Sequence, residues 1–126
     1  MSLRLLLTLS GGLEALVGVL LLISPAAVVG LLLGGPPDSV AVVLARLFGA
    51  SLFALGLACL KARNDVESAA GLAVSIGITG YNVLAAVLIV WAAGWLGLGG
   101  LLLWAVGVGH AVLGALFVSA LVTSRR

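Results

Sequence analysis

Four apolar runs of about twenty residues each, at 5–24, 40–60, 69–91 and 101–122, decide most of what this chain can become. At about 1.5 Å of rise per residue, each is long enough to cross a hydrocarbon core roughly 30 Å thick. Lipid offers the backbone no hydrogen-bond partner, so segments of this length must satisfy themselves as helices. The expectation is an all-α fold: an integral membrane four-helix bundle formed as one domain over residues 1–126. Composition excludes a water-soluble globule. Hydrophobic residues make up 63% and charged residues 8%, against about 25% charged in a soluble domain, which is too little to coat a water-facing surface. The formal charge of +2, with half of the basic residues near the chain ends, suits a phospholipid surface and argues against nucleic acid as a partner. The single cysteine, Cys59, has neither a disulfide partner nor a Cys or His at metal-ligand spacing, so no metal site is expected.

Turn chemistry marks the breaks between spans. Ser24-Pro25 ends or kinks the first helix, the stretch from Gly34 through Asp38 and Ser39 forms a loop with a ready N-cap, and Gly97 to Gly100 makes a glycine-rich hairpin. Residues 26–33 are apolar but too short to span. They either continue the first helix beyond a proline kink or lie in the interface as a re-entrant piece. Positive residues in short loops are held on the cytoplasmic side, and Arg4, Lys61, Arg63, Arg125 and Arg126 all fall on one side. Both termini are therefore expected in the cytoplasm. Trp91, Trp95 and Trp104 sit near the opposite ends of the third and fourth helices, as half of an aromatic belt. A signal peptide competes for residues 1–27, but Glu14 interrupts its apolar region, so the segment reads as an uncleaved helix.

Each helix carries a strongly polar side chain in its interior: Glu14, Arg46, Asn82 with Tyr81 beside it, and His110. Counted from the cytoplasmic ends, these lie about 14, 21, 20 and 18 Å deep. Two helices run up and two run down, so this agreement points to one polar layer near mid-membrane. Small residues flank it. The chain reads Gly11-x-x-Glu14-x-x-x-Gly18, Gly107-x-x-His110-x-x-x-Gly114 and Thr79-x-x-Asn82-x-x-x-Ala86, each set on one helical face, with Ser75 extending the third stripe and Gly49 and Ala50 one turn from Arg46. Small residues at such positions let backbones approach or leave room for a ligand. A charge left alone at mid-membrane costs about 2.5–3.5 kcal/mol on insertion scales, so Glu14 and Arg46 are expected to pair. The competing reading is a purely structural salt bridge that sets helix order. For His110 it is a core histidine bonded to Asn82 or Tyr81, and for Cys59 a small apolar residue. Ser10, Ser51 and Thr8 carry no functional signal.

Several pieces taken together resemble small bacterial four-span membrane proteins of the DoxX-like kind. They are the Gly-x-x-x-Leu/Val pattern ending at Ser24-Pro25, the stretch Ala45-Arg46-Leu47-Phe48-Gly49-Ala50 through Leu55-Gly56-Leu57 to Lys61-Ala62-Arg63, then Tyr81-Asn82, and His110-Ala111-Val112. The resemblance implies a four-helix bundle in the bacterial inner membrane, in a family with some members associated with quinone-linked redox complexes. It carries over no catalytic residue, and the chain lacks a redox cysteine pair or cofactor motif. A weaker likeness is to small multidrug exporters, whose first helix bears one membrane-embedded glutamate, as Gly11-Gly12-Leu13-Glu14 does here. Arg46 and the one-sided Lys/Arg distribution argue against it.

The function expected from these residues is binding of an amphipathic ligand, a quinone or lipid, within the bilayer, with a larger membrane complex or a second copy as partner. Arg46 and His110 would donate to a carbonyl or acidic head, Glu14 would orient Arg46, and Tyr81 and Asn82 would complete the hydrogen bonds. Three alternatives stand beside it. They are an acid-base enzyme using Glu14 and His110 on a hydrophobic substrate, proton-coupled export through Glu14, and a structural subunit.

Overall fold

The computed structural model describes residues 1–123. Five helices follow one another, α1 (Leu3–Ile23), α2 (Pro25–Leu33), α3 (Ser39–Ala62), α4 (Ala69–Trp95) and α5 (Leu103–Thr123). All but α2 are long and apolar enough to cross a membrane. Arg125 and Arg126 lie outside the described residues.

Short polar residues start three of the helices by accepting orphan backbone N–H groups. Ser2 accepts from Leu5 at 3.4 Å, Asp38 from Ala41 at 2.7 Å and Ser68 from Gly71 at 3.0 Å. At Ser24 the backbone leaves the helical region (φ −141°, ψ 58°), and Pro25, which has no N–H to satisfy, opens α2. Gly34 closes α2 at φ 88°, a conformation that favours glycine. Residues 26–33 are thus a separate short helix. It is tied to the α4–α5 connection, where the Leu102 N–H donates to the Leu31 carbonyl at 3.0 Å. A Cβ on Gly100 would collide with the backbone of Leu31 and Leu32.

Glycine also sets the closest helix contact. An added Cβ on Gly18 would stand 2.7 Å from the Gly49 carbonyl oxygen, and one on Gly11 would stand 2.9 Å from that of Gly56. Antiparallel α1 and α3 therefore touch backbone to backbone at two levels, the geometry that small residues permit inside a membrane. On α5, Gly107 faces the Ile89 side chain and Gly114 faces Val83 and Asn82, which draws α5 against α4.

The pairs α1–α3 and α4–α5 join through two apolar clusters. Leu6 and Leu7 of α1, Cys59 of α3, Ile78 of α4 and Phe117 of α5 form the first. Leu21, Ala45 and Leu52 form the second, covered by Val28 and Val29 of α2. Tyr81 packs against both. Along α1, Glu14 falls between them.

One cavity lies away from this level and one runs beside it. One of about 640 Å³ opens where Met1–Leu3, Val66, Glu67 and Thr123 gather, which puts both described ends of the chain at the same end of the bundle as the 63–68 loop. The other, of about 520 Å³, is an apolar groove between α4 and α5, lined by Val83, Val87 and Gly114 among others. Trp91, Trp95 and Trp104 are exposed near the opposite end.

Candidate functional site

The buried stripe of α4 holds Gly71, Ser75, Ile78, Thr79 and Asn82, at helical spacing on one face. Its hydroxyls are spent on their own helix: Ser75 Oγ donates to the Gly71 carbonyl at 2.8 Å and Thr79 Oγ1 to that of Ser75 at 2.6 Å. Neither has a proton left for a ligand. The Asn82 side chain, completely buried, works differently. Its Nδ2 donates back to the Ile78 carbonyl at 2.8 Å, while its Oδ1 lies 2.9 Å from His110 Nδ1 on α5. Gly114, one turn along α5, has its Cα beside Val83 and Asn82, bringing the two backbones near enough for a short asparagine to reach the ring.

Tyr81, the next residue, presents its ring to His110 in a T-shaped contact, with centroids 5.4 Å apart and planes at 88°. Its hydroxyl faces the Glu14 carboxyl of α1, near enough for the two groups to interact. Glu14 is only 5% exposed. Three helices thus converge on one connected set: Glu14, Tyr81, His110 and Asn82. One turn from Glu14, Ser10 is wholly buried and its hydroxyl meets no hydrogen-bond partner among the described residues. Nothing in the sequence marked Ser10. Its spacing of four from Glu14 was the available signal, legible only once the buried face of α1 was known.

Arg46 does not join this set, and the expected Glu14–Arg46 ion pair is a correction. Register is the first reason. Since Gly18 meets Gly49 and Gly11 meets Gly56, Phe53 stands across from Glu14, and Arg46 lies seven residues, about 10 Å, further along α3. Rotation is the second. Leu55 and Ala62 pack on the cluster that contains Ile78, and at about 100° per residue Arg46 falls on the opposite flank of the buried stripe, where it is exposed. Seven residues into α3, its long side chain can reach back to the headgroup level and keep the guanidinium wet. Arg46→Leu is accordingly expected to lower stability by no more than about 0.5 kcal/mol, where breaking a buried ion pair costs about 3–5 kcal/mol. Unfolding by SDS in mixed micelles distinguishes the two, and a loss in the higher range would restore the ion pair.

Comparison with models of known families, with curated proteins and with solved structures finds no match to this chain. The four-span likeness therefore stands on the residues quoted for it. Among the described residues no group of three or more His, Cys, Asp or Glu is placed to hold a metal ion.

Proposed function

We propose that this protein binds the polar head of an amphipathic molecule, a quinone or a lipid, inside the bilayer at Glu14, Tyr81, Asn82 and His110. The observation that carries the reading is the convergence of these side chains from α1, α4 and α5 on one level between two apolar clusters. A bundle that needed only packing could fill this level with leucine, and buried polar groups in a membrane are costly enough to mark function. Polar groups fix the head's orientation, while the exposed Leu and Val side chains around them suit an alkyl or prenyl tail. Arg46 has no part in this site.

On this reading the protein lies in the bacterial inner membrane. The end bearing Arg4, Lys61 and Arg63 faces the cytoplasm because short basic loops are retained there, and a larger complex or a second copy can cover the exposed helix faces.

Native mass spectrometry of gently extracted protein tests the reading. Wild-type protein and Arg46→Leu are expected to carry one stoichiometric small molecule that Glu14→Gln and His110→Leu lose. Bare protein in every sample, or equal occupancy in all four, would overturn it.

A further inference from the structure

The hydrogen bonds at His110 limit the chemistry of the bound head, an inference that rests on the binding site proposed above. The Ile78 carbonyl can only accept, so the Asn82 atom facing it is the amide nitrogen. That fixes the amide the other way round at its far side: Oδ1, which can only accept, faces His110 Nδ1 at 2.9 Å. Nδ1 must therefore carry the ring proton. In the neutral imidazole the second nitrogen, Nε2, is then a bare lone pair. Among the described residues no group donates to Nε2, and the ring is only half buried. The Tyr81 hydroxyl faces Glu14 rather than Nε2. What His110 offers an incoming molecule is an acceptor, the Nε2 lone pair. The Ser10 hydroxyl and the second Asn82 N–H are completely enclosed.

We infer that the ligand presents a hydroxyl donor to His110 Nε2, so that an alcoholic or phenolic head is bound in preference to a carbonyl head of the same shape. This reverses the direction expected from the sequence, in which His110 donated. A carbonyl would put lone pair against lone pair at Nε2. Moving the ring proton to Nε2 would relieve that clash only by setting the Nδ1 lone pair against Asn82 Oδ1, whose amide the Ile78 carbonyl holds in place. Sites built around such buried pairings discriminate by tenfold or more when a partner is mismatched.

His110 is the only histidine, so histidine-selective 15N labelling gives one imidazole, and its spectrum is expected to show protonated Nδ1 and bare Nε2. The reverse tautomer overturns the inference. Binding is then measured anaerobically on wild-type protein in nanodiscs with two matched pairs. A short prenylated hydroquinone is set against its quinone, and a diacylglycerol against its O-methyl ether. The hydroxyl-bearing member of one pair is expected to bind at least tenfold more tightly, and the pair that shows it assigns the head as phenolic or alcoholic. Binding without that preference overturns the inference and leaves the ligand-binding reading intact. If none of the four binds, the molecule carried through extraction decides. One lacking a hydroxyl overturns the inference, and bare protein removes the ligand-binding reading itself.

Discussion

Gly18→Val is expected to drive α1 away from α3 and to cost about 3 kcal/mol, the upper end of the range for overpacking. Even the first added carbon has nowhere to go. A Cβ on Gly18 would sit 2.6 Å from the Phe53 nitrogen and 2.7 Å from the Gly49 carbonyl oxygen. Both are main-chain atoms of α3, so no rotamer change can relieve the clash, and the helix must shift as a body. The second contact level, where a Cβ on Gly56 would stand 2.6 Å from the Ala15 nitrogen and 2.7 Å from the Gly11 carbonyl oxygen, resists that shift. The contrast lies nearly two turns away on the same helix. Gly12 has nothing within 4 Å of its missing Cβ, so Gly12→Ala should be neutral or gain up to about 1 kcal/mol from helix propensity. SDS-induced unfolding followed by circular dichroism measures both. Equal effects at the two positions would show that the α1–α3 approach is not what requires glycine. Loss of Gly18 also tilts Glu14 away from Tyr81, so ligand occupancy should fall with stability.

Asn82→Leu is expected to cost about 1–2 kcal/mol, near the top of the range measured for side-chain hydrogen bonds between membrane helices. The substitution leaves the His110 Nδ1 proton without its acceptor in a setting with no water to replace it, and an unmade bond of that kind costs more than a made one contributes. Leucine has the same branched shape as asparagine with bulkier ends, so no cavity is left and the polar loss dominates. The clean measurement is a double-mutant cycle with His110→Leu. Coupling of about 0.6–1.7 kcal/mol is expected between the two positions. Strict additivity would mean that the 2.9 Å contact between α4 and α5 carries no stabilising free energy.

How far the sequence could be read follows from what each feature depends on. The spans depend on local hydropathy, and the four runs coincide with α1, α3, α4 and α5 to within a few residues. The inward stripe Ser75, Thr79 and Asn82 depends on helical period alone, and all three residues are buried as their spacing implied. Glycines flanking Glu14 and His110 do bring neighbouring helices close, but the partners they select were invisible, because Gly18 and Gly49 are separated by a proline break, a short helix and a loop. For segment 26–33 the break at Ser24 decides against a continuous first helix, and the Leu31–Leu102 backbone bond shows a separate short helix held by the far hairpin.

By itself, then, the sequence determined that the chain is four apolar helices with a few polar side chains at similar depth, since length, hydropathy and period are properties of one segment at a time. Only the tertiary structure decided which of those side chains meet. Depth measured along separate helices says nothing about rotation around them, and the α1–α3 register, set by two pairs of glycine backbones, carried Arg46 about 10 Å past Glu14 and onto the outer flank. The same packing turned Tyr81 toward Glu14 and fixed the His110 proton against Asn82. A hydrogen bond needs position and direction together, and direction is settled only when the neighbouring backbones are in place.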